Sequence, residues 1–186
     1  MPVTLQSKES PPSDQTVLVL LAQAGDRAAL EQLLRDTYAP LRGYIVRLAG
    51  ASLVDDILQE TSIQIFRKLR FLSEPAVFRP WTLRIASRIA FSHLKRARRW
   101  QPLETAPPEP LTFSPNLGEP PDAAFFALLD LVSPASRAVL LLHYQHELSL
   151  EETAAILEIP IGTAKSRLHY GVATLRKHLT SERKPA

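Results

Sequence analysis

The chain has 186 residues, 45% of them hydrophobic, enough apolar mass for one or two modest cores. It contains no cysteine, which excludes a disulfide framework, thiolate catalysis and a cysteine zinc site. The formal net charge of +3 conceals an asymmetry: residues 67–100 hold ten Lys/Arg and one acid, Glu74, leaving 12 basic against 18 acidic residues elsewhere, and a basic segment of that density points to a phosphate-binding surface.

No apolar run reaches the roughly 20 residues needed to cross a bilayer, and the opening MPVTLQSKESPPSDQT lacks the apolar core of a signal peptide. The expectation is a cytoplasmic protein without membrane insertion. Residues 1–14, rich in Ser, Pro and charge, read as a disordered tail. From Gln15 the pattern turns helical: Val17, Leu20, Leu21 and Ala24, then Ala29, Leu30, Leu33 and Leu34, give two helices separated by Gly25-Asp26. Pro40 falls early in a third, lined by Leu41, Ile45 and Leu48 and ended by Gly50.

Leu53 to Leu72 predicts a longer helix with Val54, Leu58, Thr61, Ile65, Leu69 and Leu72 on one stripe and Asp56, Gln59 and Glu60 off it. Asp55, Asp56 and Glu60 resemble a magnesium-binding acidic motif, but no second acidic cluster completes such a cage. Phe71 to Pro80 reads as a loop, and Trp81 to Arg99 as a helix. Within it Arg84, Arg88, Lys95 and Arg99 fall in an arc of about 60° on a 100° wheel, a basic stripe beside a buried anchor, Trp81.

Residues 101–121 hold seven prolines, which is incompatible with a helix and long for a loop inside one domain. They read as a linker; extended at about 3.1 Å per residue it reaches roughly 60 Å, more than one and a half turns of B-DNA. Helices are predicted beyond it at Ala123 to Val132 and at Ala135 to Tyr144. Ser149, with Glu152 three residues on, forms a capping box that starts a helix at Leu150. A turn at Leu157 to Ile159 and Pro160 then lead into a last helix with Ile161, Ala164, Leu168, Val172, Leu175 and Leu179 on its apolar side. The opposite side carries Thr163, Ser166, Arg167 and Tyr170, flanked by Lys165 and His169, a mixture suited to a DNA major groove. The fold class expected is all-α: two small helical domains, residues 15–100 and 122–180, the second a helix-turn-helix.

These residues resemble a family. GDRAALEQLLRDTYAPLRGYI, DDILQETSIQIFRKL and FRPWTLRIASRIAFSHLKRARR are similar to the second conserved region of bacterial RNA polymerase sigma factors of the extracytoplasmic-function group, and LSLEETAAILEIPIGTAKSRL to their fourth. The resemblance implies a dissociable subunit that binds core RNA polymerase and promoter DNA, with an anti-sigma factor as a further partner, no enzyme activity, no metal and no cofactor. It implies that Asp56, Gln59 and Glu60 contact the polymerase. It further implies that Arg79, Arg84, Ser87, Arg88, Lys95, Arg96 and Arg99 engage the downstream, melted element, and that Arg137, Thr163, Lys165, Ser166, Arg167, His169 and Tyr170 read the upstream one. Departures are Ser87 and Ser92 where the family often has Asn and Asp, Glu158 for a frequent turn glycine, and Tyr170-Gly171-Val172 for a usual Arg-Ala-Arg.

Two other readings stay open. A sigma-like decoy for an anti-sigma factor would not need the basic stripe; an ordinary helix-turn-helix regulator would not need the acidic trio or the long spacer. An enzyme fits least, since His143 and His146, the one close histidine pair, read as a helix end.

Overall fold

A computed structural model describes residues 14–98 and 128–182, and every regular element among them is helical. The expected tail up to residue 13, the linker 101–121, Arg99 and residues 123–127 lie outside the described residues. The first half comprises α1 (Asp14–Gln23), α2 (Arg27–Ala49), α3 (Val54–Lys68) and α4 (Phe78–Arg98). The second comprises α5 (Pro134–Leu140), α6 (Leu150–Leu157) and α7 (Ile161–Glu182).

The break between α1 and α2 falls at Gly25, whose φ of 100° favours glycine, and Asp26 then caps α2 by accepting the Ala29 N–H at 3.1 Å. Pro40 does not open a third helix: α2 runs through it to Ala49. An internal proline costs about 3 kcal/mol, but Leu33, Leu41, Tyr44, Ile45 and Leu48 form one continuous buried stripe across it, and burying large side chains at about 1.5–3 kcal/mol each outweighs that cost. Pro40 itself points to solvent.

The α3 stripe is buried as its spacing predicts, with Ile57 added. Short 3₁₀ turns flank α3 at Ala51–Leu53 and Leu69–Phe71, so the long helix expected over 53–72 is in fact segmented. The carbonyls of Leu69 and Leu72 accept hydrogen bonds from Gln23 Nε2 at 2.9 and 2.7 Å, tying α1 to the end of α3. Helix α4 starts at Phe78, not Trp81; Pro80 sits in its first turn, where no N–H donor is missed. Phe78 is the fully buried anchor, while Trp81 is half-buried with its ring centroid 6.0 Å from that of Phe78.

In the second half, residues 129–131 form a short 3₁₀ turn rather than the end of a helix. Ser133 caps α5, accepting the Ser136 N–H at 3.3 Å, with Pro134 in the first turn. The helix then widens into a π turn over Leu141–Gln145. Gly171 lets α7 lie close on α5, because a Cβ there would come within 2.7 Å of Leu140 Cδ1. Helix α4 packs against α6, and α2 against α5, so the two halves are in contact.

Candidate nucleic-acid interface

Three surfaces follow from these elements. On α3, Asp56, Gln59 and Glu60 are exposed on the side away from the core, and Glu60 Oε2 lies 3.0 Å from His93 Nε2 of α4. The same side carries Ile63 and Phe66, 41% and 62% exposed, with Phe71 beyond them at 70% under the Arg70 guanidinium, 4.5 Å from the ring centroid. Apolar and acidic groups are therefore exposed together on this side of α3. The periodicity that fixes the buried stripe does not show this apolar part, although two large hydrophobics off that stripe, Ile63 and Phe66, are its signal in the sequence.

On α4, Arg84, Arg88, Lys95 and Arg96 are exposed, as is Arg79 near its start. A groove of about 230 Å³ lies between this stripe and α3, lined by Glu60, Gln64, Lys68, Arg88 and Ser92 among others. Ser87 stands apart from its neighbours. It is buried, its Oγ donates to the Leu83 carbonyl at 2.7 Å, and the Tyr44 hydroxyl lies 2.7 Å away. Burial pushes the Tyr44 phenol well above its ordinary pKa, against the opposing effect of the Ser87 bond, so this pair is neutral and internal.

The third surface is the helix-turn-helix. The Ser149 N–H donates to Glu152 Oε2 at 2.8 Å and the Glu152 N–H to Ser149 Oγ at 3.1 Å, the capping box read from the sequence. These bonds hold the Glu152 carboxyl below its usual pKa. Helix α6 ends at Leu157, and the turn residue Glu158 takes the left-handed conformation, φ 55° and ψ 44°. On α7, Ala164, Leu168, Val172 and Leu175 are buried, but Ile161, in the first turn, is exposed. Lys165 is exposed, and Thr163, Ser166, Arg167, His169 and Tyr170 are partly so, forming one polar face; Ser166 Oγ donates to the Thr163 carbonyl at 3.0 Å.

Arg137 is not on that face. Its guanidinium is buried at the contact between the halves, donating from Nη2 to the Val132 carbonyl at 3.1 Å and from Nη1 to the Arg47 and Leu48 carbonyls at 3.4 Å each, with Asp130 Oδ1 3.0 Å away. It serves the open C-terminal carbonyls of α2. Among the described residues no group of three His, Asp or Glu side chains is placed to hold a metal, and no helix is long and apolar enough to cross a membrane.

Comparison with known proteins matches each half to a separate family region. Residues 31–100 match the Sigma-70 region 2 family and residues 128–177 the Sigma-70, region 4 family. The chain is 30% identical over 184 residues to the ECF RNA polymerase sigma factor SigE of Mycolicibacterium smegmatis, covering 90% of this chain and 70% of that one. It is 30% identical over 139 residues to SigW of Bacillus subtilis, covering 67% and 74%. The fold resembles that of the sigma factor RpoE in complex with the anti-sigma factor NepR from Bartonella quintana, with a TM-score of 0.63 and 24% identity over 82% of this chain and 98% of that one. It also resembles CnrH in complex with the cytosolic domain of CnrY, with a TM-score of 0.64 and 20% identity over 90% and 97%. With both regions present in this order, the chain belongs to the ECF group of RNA polymerase sigma factors.

Proposed function

We propose that this sigma factor directs transcription initiation through the three surfaces in sequence: α3 docks on core RNA polymerase, α4 holds the downstream promoter element, and α7 reads the upstream one. The observation that carries the assignment is the exposed acidic trio with Ile63 and Phe66 on a helix whose opposite side is fully committed to the core. Such a face is free to bind a partner at little cost to the fold. The cations on α4 supply salt-dependent affinity for phosphates, and the donors and aromatic ring on α7 supply base discrimination. The chain's work on this reading is binding rather than catalysis, it is carried out in the cytoplasm, and an anti-sigma factor is its regulatory partner. The domains run over 15–100 and 122–180, joined by the proline-rich segment.

Competition for core polymerase against a labelled second sigma factor tests the docking face. Asp56→Ala with Glu60→Ala should leave helicity and melting temperature nearly unchanged and weaken competition at least about tenfold, a cost of about 1.4 kcal/mol. If the double variant competes as well as wild type, α3 is not the polymerase face.

A further inference from the structure

A large apolar side chain stands at the leading end of the DNA-reading side of α7. The turn residues before it are engaged within the fold: Glu158 Oε1 accepts from Arg84 Nε at 3.0 Å, and Ile159 packs against the core. Ile161 is instead 39% exposed. Single exposed hydrophobics are ordinary on protein surfaces, so exposure alone assigns nothing. Its place on the helix decides the matter. Residues four apart lie on one side of a helix, so Ile161 heads the row of Lys165 and His169, and Gly162 heads the row of Ser166 and Tyr170. The first turn of α7 therefore belongs to the same face as the side chains that the proposed function gives to the upstream element.

Gly162 supports this placement. It lies in a regular helix, and a Cβ there would meet nothing within 4 Å. At Gly171 the missing Cβ admits Leu140, whereas nothing among the described residues requires glycine at position 162. Its effect is outward: with no side chain there, the flank of Ile161 stays open to an approaching molecule.

We propose that Ile161 is a specificity-determining residue, recognising the 5-methyl group of a thymine in the upstream element. Of the base edges in the major groove, thymine's is the one that offers an apolar group, and isoleucine has no side-chain donor or acceptor with which to read another. The contact rests on the proposed function of α7 and adds an apolar position to its polar ones. Four residues advance about 6 Å along a helix, and stacked base pairs are about 3.4 Å apart, so the thymine lies about two base pairs from the base that Lys165 contacts. Removing one methyl group from such a contact costs about three- to fourfold in affinity.

Holoenzyme assembled from the full chain and core polymerase, bound to promoter fragments selected from a library randomised over the upstream element, tests this. Deoxyuridine, which lacks only the 5-methyl group, replaces each thymidine of the selected element in turn, on either strand. At one position wild type should lose about three- to fourfold in affinity, while Ile161→Ala should bind the two fragments equally and Ile161→Val should keep most of the discrimination. At that position 5-methylcytosine should bind wild type better than cytosine does, with no such gain for Ile161→Ala. The salt dependence of binding should be the same for both proteins, because an apolar contact releases no counterions. Circular dichroism should show Ile161→Ala folded, since the side chain lies outside the core. The absence of any thymine at which uracil weakens wild type, or an equal uracil penalty in Ile161→Ala, would overturn the proposal and leave the upstream assignment of α7 intact. A library that yields no sequence preference would overturn that assignment, and the proposal with it.

Discussion

Acidification should selectively weaken the contact between the halves through His146. Its imidazole is 4% exposed, its Nε2 has no hydrogen-bond partner among the described residues, and Tyr44, Arg79 and Arg47 of the first half face it. Burial first, and then the charges of Arg79 and Arg47, push its pKa from the usual 6.5 down to about 4. The unfolded chain therefore binds a proton near pH 6.5 that the packed chain refuses until about pH 4. The stabilisation is complete above pH 6.5, is lost as the pH falls from there toward 4, and changes no further below. At about 1.4 kcal/mol per pH unit the full loss is about 3 kcal/mol. Because both arginines that lower it, Arg79 and Arg47, lie in the other half, separation relieves that part of the penalty, so the observed loss is capped by the free energy that holds the halves together. Urea unfolding of wild type and His146→Phe at a series of pH values from about 7.5 to 4.5 measures it. The phenyl ring keeps the contact with Tyr44 and cannot titrate, so wild type should lose stability relative to the variant as the pH falls. Parallel curves for the two proteins across that range would show that protonation of His146 does not weaken the packed chain.

Three further outcomes follow from local geometry. Gly171→Ala forces a methyl group against Leu140 and should destabilise the second half by about 1 kcal/mol, overpacking of about 1–3 kcal/mol exceeding a helix-propensity gain of just under 1; on a Leu140→Ala background thermal melts should show the sign reversed. Ser149→Ala removes one bond of the capping box and should cost about 1 kcal/mol in chemical denaturation. In a randomised promoter library, alanine at Lys165 or Tyr170 should change which upstream bases are tolerated, whereas alanine at Arg167 should weaken all sequences about equally and reduce the salt slope by about one unit.

Periodicity made the helical interiors legible. Ala164, Leu168, Val172 and Leu175 are buried because their spacing puts them on one side of α7, and the capping box at Ser149 fixes the start of α6 from two residues alone. What local pattern does not carry is the identity of partners distant in sequence. Pro40 is tolerated because of the packing on both sides of it, not because of its immediate neighbours. Ser87 falls beside Arg84 and Arg88 on α4, yet Tyr44, 43 residues away, makes it internal. Arg137 reads as a surface cation near a recognition element, but the open carbonyls of α2 bind it, and nothing within five or six residues of Arg137 reveals them. Glu158 was visible as a departure from a usual glycine, while its reason, Arg84, emerged only with the packing of the halves.

On the proposed function, the chain gives core RNA polymerase a promoter specificity of its own. Purified chain added to core polymerase on genomic DNA, with transcript 5′ ends mapped across the genome, tests this most directly. The expected result is a limited set of defined start sites that share an upstream and a downstream element at fixed spacing, absent with core polymerase alone and strongly reduced with Asp56→Ala and Glu60→Ala together. Starts no different from those of core polymerase alone, under conditions where a second sigma factor supports initiation, would contradict it.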